Sequence, residues 1–217
     1  MLSTSAFLAL AMQCATSVHP DTSHEVARVE SGYNPYAIAE IIPKDKRKPG
    51  DNGVITHLPK TKEEALKIIQ RIESINRRFS VGLMQITSTN FIKYGVTAEN
   101  LLSPCPNLSV FEKILVDCYQ RGGSLKNALS CYYSGNFVTG KKAEPTFNNT
   151  SYTQRIGYDR TDQKQNWVVP SVKEEVNKEN EKSTLRKNNP NEITVYPQYA
   201  MRGVVSNEKE TNDVENE

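Results

Sequence analysis

Glu30 stands where a carboxyl group could act as a general acid. It lies in residues 26–36, VARVESGYNPY, on the last turn of an expected helix that stops at Gly32. The negative end of the helix dipole and burial against the helix would both raise the pKa of this carboxyl group. A carboxylic acid that keeps its proton near neutral pH can protonate a glycosidic oxygen. A helix-end Glu is more often a solvated surface residue, so Glu30 alone does not establish a function.

Three further stretches carry groups suited to binding sugars. Residues 80–86, SVGLMQI, combine a glycine that would let a ligand approach the backbone with a glutamine amide that donates and accepts. Residues 130–137, SCYYSGNF, offer aromatic rings and polar tips, and residues 151–156 add a further tyrosine. Taken singly, each stretch could equally be packing. The candidate substrate-binding residues are Ser80, Gln85, Tyr132, Asn136 and Tyr152.

Other chemistries find little support in the sequence. His24-Glu25 lacks a second histidine four residues after the first, because Arg28 stands there, and His19 and His57 have no ligand-like spacing. No phosphate-binding glycine loop, Gly-x-Ser-x-Gly motif or cysteine beside a histidine base occurs. The sequence therefore predicts neither a metal site nor a cofactor.

The elements that must position these residues are mostly helical. Residues 61–76 form an amphipathic pattern with an apolar stripe, and residues 40–60 read as a small hairpin or a mobile loop. The other predicted helices are one that opens with a Thr22–Glu25 capping box, one at about 110–120 capped by Ser109, and one from Ser124 to about Tyr133. The predicted fold class is mainly α with a minor β element.

Four cysteines, Cys14, Cys105, Cys118 and Cys131, allow three connectivities if all are paired. Cys118 and Cys131 lie on consecutive predicted helices joined by a short turn. A helical hairpin could bring these two together and leave Cys14 for Cys105, which would indicate an oxidising compartment. Ordinary buried thiols are the alternative.

Residues 1–18 are either an atypical secretory signal or the first helix of the folded domain. Their apolar core, residues 6–12, is too short to span a bilayer, and no Lys or Arg precedes it. We favour the helix, in which case an export signal would lie upstream or the protein would leave by another route.

The composition changes after about residue 159, which predicts a folded domain over 1–159 and a disordered polar tail over 160–217. The first part holds 18 Lys and Arg against 14 Asp and Glu, and the tail holds 9 against 11. This charge falls short of a nucleic-acid footprint. Trp167 and residues 193–201 are candidate docking points for a partner, although a solvated tail without a partner explains the composition equally well.

Four motifs in order resemble the lysozyme-like soluble lytic transglycosylase family: E-S-G-x-N-P-x-A at 30–37, G-L-M-Q-I at 82–86, x-Y-x-x-G-N-F at 131–137 and Y-x-x-x-I at 152–156. Within that family the sequence is most similar to the peptidoglycan lytic transglycosylase subunit of type IV secretion systems. The runs at residues 14–20 and 104–108 share this likeness, which extends over about residues 10–159.

The resemblance implies a goose-lysozyme-like fold and cleavage of the β-1,4 bond between N-acetylmuramic acid and N-acetylglucosamine in the periplasm. It implies that Glu30 protonates the leaving oxygen and then, as a base, draws the muramyl C6 hydroxyl onto C1 to close a 1,6-anhydro ring. Ser80 and Gln85 would bind sugar, Tyr132 would line the groove and Tyr152 would orient Glu30. The partner that the resemblance implies is the peptidoglycan glycan strand. The resemblance says nothing about the tail, for which other type IV secretion subunits are candidate partners.

One departure and two alternatives accompany the resemblance. The usual A-Y-N-A-G reads C-Y-Y-S-G here, so Tyr133 replaces the family's Asn, and Asn136 could take over part of its contact. A lysozyme-type hydrolase would need a second carboxylate, for which Glu40, Asp45 and Asp51 are the candidates nearest in sequence. The other alternative is a non-catalytic protein that binds the wall and recruits secretion subunits.

Overall fold

A computed structural model of the chain describes residues 1–48, 50 and 52–158. Within them, the α-helices are α1 (Thr4–Cys14), α2 (Pro20–Glu30), α3 (Lys62–Ser74), α4 (Phe91–Tyr94), α5 (Ala98–Leu101), α6 (Pro104–Gly122), α7 (Leu125–Ser134) and α8 (Tyr152–Arg155). The strands are β1 (Ile38–Ile41), β2 (Val54–His57), β3 (Phe79–Val81) and β4 (Ile86–Thr87). The predicted mainly α class with a minor β element is confirmed. The predicted tail, with Trp167 and residues 193–201, lies outside the described residues.

Helix α2 begins earlier than predicted and uses a different cap. Its N-cap is His19, whose Nδ1 accepts a hydrogen bond from the Asp21 amide, and Pro20 occupies the first turn, where no amide is needed. The predicted capping box is therefore wrong, because Thr22 is buried inside the first turn and its hydroxyl has no partner among the described residues. The helix ends at Glu30 as expected, and Gly32 follows at φ +56°.

Helix α6 is longer than the sequence predicted. It runs from Pro104 to Gly122, with Ser103 as N-cap, so Ser109 lies within the helix and does not cap it. Prolines 104 and 106 lie before the predicted start, but the first turn of a helix tolerates proline because its amides have no intrahelical acceptors. The extra turn brings Cys105 and Asn107 onto the helix.

Helices α3 and α7 match their predictions closely. The α3 stripe places Ala65, Ile69 and Ile72 in the core. Helix α7 begins after the N-cap Ser124 and ends at Gly135, whose φ of +74° closes the helix in the left-handed region. It packs antiparallel to α6 as a helical hairpin, and Cys118 and Cys131 are joined across it.

The four strands form one antiparallel sheet in the order β2-β1-β3-β4. Strands β1 and β2 pair with Ile38 opposite His57, so residues 40–60 include the hairpin that the sequence suggested. Strand β1 also pairs with β3, placing Ala39 opposite Ser80. This sheet carries the segment 82–86 to the edge of the helical core.

Helix α1 packs against α2 and α6. Phe7 and Ala11 are fully buried in the main core, and Cys14 is disulfide-bonded to Cys105 at the start of α6. The two disulfides follow the pairing that the sequence favoured. Among the described residues, no helix is long and apolar enough to cross a membrane.

Candidate active site

Glu30 is the last residue of α2, and its side chain is partly buried. Burial raises the pKa of this group from 4.5 to about 7, against the opposing effects of a hydrogen bond from Tyr152 and the positive charge of Arg155. The raised pKa expected from the sequence is confirmed, with burial as its main cause. At neutral pH a substantial fraction of Glu30 is therefore protonated and able to donate.

Tyr152 reaches Glu30 from the opposite end of the described chain. Its hydroxyl donates to Glu30 Oε1 at 2.6 Å, and its side chain is 1% exposed. The short helix α8 that carries it opens with a capping box between Ser151 and Gln154, which fixes the start of the helix. Burial and the neighbouring Glu30 raise the pKa of Tyr152 well above its usual range, so Tyr152 is a hydrogen-bond donor at physiological pH.

Tyr132 connects α7 with the segment after β3. Its hydroxyl donates to the Met84 carbonyl, and its ring meets Phe111 edge to face at 5.2 Å. Burial, followed by the charge of Glu30, raises the pKa of Tyr132 well above its usual range. The structure therefore brings two tyrosines, Tyr132 and Tyr152, next to the carboxyl group of Glu30.

Asn107 on α6 supports the segment 82–86 from beneath. This fully buried amide donates to the carbonyls of Val81 and Leu101 and accepts from the Met84 amide. A Cβ on Gly82 would lie 2.2 Å from Asn107 Nδ2, so the glycine makes room for Asn107. The expected approach of a ligand to the Gly82 backbone stays a prediction.

Gln85 sits in the left-handed region at φ +50° and turns its amide onto the backbone. Its Nε2 donates to the carbonyls of Ala37 and Gly82 at 3.0 and 2.9 Å, which ties the segment after α2 to the segment after β3. Both donors of the amide are thereby used, and its oxygen is left as an acceptor. Ser80 lies next to this turn on β3, with its hydroxyl 2.9 Å from that of Thr87.

The Asn136 side chain makes its hydrogen bonds at the end of α7. It is exposed beyond the end of α7, and its Oδ1 accepts from the amides of Val138 and Thr139 while its Nδ2 donates to the Ser134 carbonyl. The side chain stabilises the turn after α7. Its predicted contact with substrate stays a prediction.

Tyr133, the residue that departs from the family pattern, stacks on Tyr152. The two rings lie 4.4 Å apart and nearly parallel, at 15°. The Tyr133 hydroxyl donates to Glu144 Oε1 at 2.6 Å, and Glu144 Oε2 forms an ion pair with Arg155 Nη2 at 2.7 Å. This pair is close in distance without hydrogen-bond alignment, because Oε2 has no hydrogen-bond partner among the described residues.

Apart from Arg155, the site lies inside a recognised family region. Residues 7–154 match the profile of the transglycosylase SLT domain, and this interval contains Glu30 together with all of its described partners except Arg155. The chain belongs to the transglycosylase SLT domain family.

Two relatives of the chain are virB1 proteins. The chain is 38% identical over 159 residues to the type IV secretion system protein virB1 of Brucella abortus biovar 1 (strain 9-941), covering 69% of this chain and 62% of that protein. It is 33% identical over 146 residues to protein virB1 of Agrobacterium fabrum (strain C58), covering 64% of this chain and 56% of that protein. The chain thus spans less than two thirds of the length of these relatives. No solved structure matches the chain.

Sequence reasoning missed three residues that build this SLT site. Asn107 was noted only as part of a family-like run, and Glu144 and Arg155 were not singled out. Buried asparagines and ion pairs between distant loops leave no periodic signal in a sequence, so only the fold reveals them. The one sequence feature that could have pointed to this network was Tyr133, which stands where the family has Asn and whose hydroxyl binds Glu144.

Glu40, the first candidate for a second carboxylate, is committed to a structural ion cluster. It is fully buried on β1, and its oxygens accept from Arg77 at 2.5 Å, Arg71 at 2.7 Å and His57 at 3.1 Å. Burial alone would raise its pKa, but these hydrogen bonds outweigh burial and lower the pKa to about 2. Asp45 lies in the exposed turn of the hairpin, and Asp51 is outside the described residues.

Proposed function

We propose that this protein is a peptidoglycan lytic transglycosylase that cleaves the β-1,4 bond between N-acetylmuramic acid and N-acetylglucosamine. The observation that carries the proposal is a desolvated Glu30 carboxyl group with a pKa of about 7, hydrogen-bonded to Tyr152 within an SLT domain. A general acid works best when its pKa lies near the operating pH, because it is then both protonated and able to release its proton.

The same carboxyl group can serve both halves of the reaction. Glu30 first donates its proton to the glycosidic oxygen, which leaves with the N-acetylglucosamine unit. The resulting carboxylate then removes the proton from the muramyl C6 hydroxyl as that oxygen bonds to C1, giving a 1,6-anhydro ring and restoring the acid. No water is consumed, and the hydrogen bond from Tyr152 holds Oε1 in place through both steps.

Four residues are proposed to bind and shape the sugar site, and two of them, Tyr132 and Tyr152, lie beside the acid. The Gln85 oxygen is an acceptor for a sugar hydroxyl or amide, since both amide donors are used on Ala37 and Gly82. Ser80 supplies a hydroxyl beside it, and Tyr132 holds the Met84 carbonyl while its ring lines the groove. Tyr152 orients the acid. Asn136 is retained as a weaker candidate because its polar atoms already bind the backbone.

The ion cluster at Glu40 favours transglycosylation over hydrolysis. A hydrolase needs a second carboxylate that is free to attack the sugar or to activate water. Glu40 is buried and bound by two arginines, so its lone pairs are occupied and its charge is already neutralised. Hydrolysis by Glu30 with another base, and a role as a non-catalytic wall-binding protein, remain the competing hypotheses.

We further propose that the enzyme acts in the periplasm, where it opens the wall locally for a type IV secretion system. The virB1 names of the relatives and the two disulfides support this setting. Residues 1–159 would form the catalytic domain. Residues 160–217, whose structure is not described, would be available to other secretion subunits.

The test replaces Glu30 with Gln, which keeps the shape of the side chain and removes the transferable proton. Purified E30Q should bind glycan strands and melt like wild type but release no soluble muropeptides. Glu25→Gln, on the same helix and paired with Arg28 on the surface, is the matched control and should lyse normally. Equal lysis by E30Q and wild type would refute the role of Glu30.

Mass analysis of the products separates the hypotheses about the reaction. Transglycosylation yields 1,6-anhydromuramyl ends, whereas hydrolysis yields reducing ends that carry an added water. Reducing ends as the main product would contradict the proposal in favour of a hydrolase. Absence of any cleavage by wild type would favour the wall-binding alternative.

A further inference from the structure

Glu144 belongs to a network of side chains that reaches Glu30 through Tyr133 and Tyr152. One of its oxygens accepts from Tyr133, whose ring stacks on Tyr152, and the other lies 2.7 Å from Arg155. Its backbone is anchored as well, because residues 144 and 150 pair as an isolated antiparallel bridge. Glu144 is therefore fixed in position, with its carboxylate directed at Arg155 and at Tyr133, whose ring stacks on Tyr152.

Arg155 is held in place from several directions. Its guanidinium lies 4.0 Å above the centre of the Phe147 ring, its Nη1 donates to the Thr150 carbonyl at 3.1 Å, and its side chain is 15% exposed. A cation this enclosed has little water around it to screen its charge. The charge of Arg155 lowers the pKa of Glu30 and so favours the ionised form of the acid.

We propose that Glu144 is a positioning residue for the general acid: it neutralises Arg155 beside Glu30 and, through Tyr133, fixes the ring of Tyr152 against the acid. This inference rests on the proposed function of Glu30. It also gives the unusual Tyr133 a role, since a shorter Asn could neither stack on the Tyr152 ring nor carry a phenol hydroxyl to Glu144.

The groups that face Glu30 agree with this role. Helix α8 presents Tyr152 and Arg155, and helix α7 presents Tyr132. Of these, Arg155 is the one positive charge, and it lowers the pKa of Glu30. On helix α2, Arg28 pairs with Glu25. Glu144 is thus the counter-charge that limits how far Arg155 lowers the pKa of Glu30.

The proposal predicts the direction of a shift in the pH profile. Glu144→Gln keeps the shape and an oxygen for Tyr133 but leaves Arg155 unopposed, so the pKa of Glu30 should fall. Because the reaction needs protonated Glu30, the alkaline limb of the kcat/KM profile should move to lower pH, by about 0.5 unit or more. Activity on the acidic side of the profile should change little.

A double variant and a control isolate the charge effect. Glu144→Gln combined with Arg155→Gln removes both charges and should return the alkaline limb toward its wild-type position. Glu99→Gln, which breaks the exposed ion pair with Lys62, changes the net charge equally and should leave the limb in place. If E144Q fails to fold, Arg155→Gln alone carries the test, and its limb should move to higher pH.

Two results would overturn the proposal. One is an alkaline limb in E144Q that coincides with wild type, and the other is a double variant that keeps the shift of E144Q. Titration of a ¹³C-labelled Glu30 carboxyl in the full chain measures the same shift without substrate. Unchanged titration in E144Q therefore refutes the role of Glu144, whereas lack of lysis by wild type refutes only the proposed function.

Discussion

Replacing Tyr152 with Phe should move the titration of Glu30 and slow lysis by separate routes. The substitution removes one hydroxyl, which donates to Glu30 Oε1 at 2.6 Å, and keeps the ring that stacks on Tyr133. That hydrogen bond stabilises the ionised carboxylate and lowers the pKa of Glu30. In Y152F the pKa of Glu30 should therefore rise further above its ordinary value.

The size of the effect follows from the chemistry of the bond. A hydrogen bond to a charged group contributes about 1.5–3 kcal/mol, and one pKa unit corresponds to about 1.4 kcal/mol. Loss of the phenol should thus raise the pKa of Glu30 by about 1–2 units. The alkaline limb of the profile then moves to higher pH by the same amount, while the plateau rate falls about tenfold or more because the acid is less well oriented.

The assay is release of soluble muropeptides from purified peptidoglycan, measured at several pH values for wild type and Y152F. Tyr119→Phe, a partly buried tyrosine on α6, is the control and should leave both the plateau and the limb unchanged. A Y152F profile whose alkaline limb stays in place, or moves to lower pH, would show that the phenol does not act on the ionisation of Glu30.

Two other regions of the molecule give further predictions. Glu40→Gln should lower the free energy of unfolding, measured with urea, by about 3–5 kcal/mol near neutral pH, because two arginines lose a buried counter-charge. The stability that Glu40 contributes is present above its ordinary pKa of 4.5 and disappears as the pH falls through about 2, so the difference from wild type should shrink in acid; a constant difference would contradict this. Removal of residues 160–217 should leave lysis in vitro unchanged, and its loss would mean that the catalytic domain extends beyond residue 159.

The sequence predicted those parts of the fold that local signals specify. The apolar period of residues 61–76 and the glycine after α7 gave α3 and α7 nearly to their ends. Prolines 104 and 106 misled, since a helix start and a loop both accept proline and only the packing of α6 decides between them. The Thr22 box failed because His19 caps the same helix one turn earlier.

The sequence allowed the residues of the candidate site to be named, but not the contacts between them. Glu30 and Tyr152 could be named from order and spacing, but their 2.6 Å contact joins residues 122 positions apart. Gln85 was expected to bind ligand, and the structure adds that its Nε2 ties two segments together through the carbonyls of Ala37 and Gly82. Such contacts depend on the tertiary arrangement of loops, which carries no periodic signal in the sequence.

The disulfide between Cys14 and Cys105 fastens α1, which packs against the helix that carries Glu30, to the start of α6. This bond forms only where thiols can be oxidised. It closes a loop across 91 residues, for which the loop-closure entropy is worth about 4.6 kcal/mol. That is comparable with the whole folding free energy of many domains. In a reducing environment α1 and the segment after it would be held to α6 by apolar contacts and by the hydrogen bond from the Ser17 amide to Glu112. The chain would therefore reach its full stability only in an oxidising compartment, where the two thiols form the disulfide.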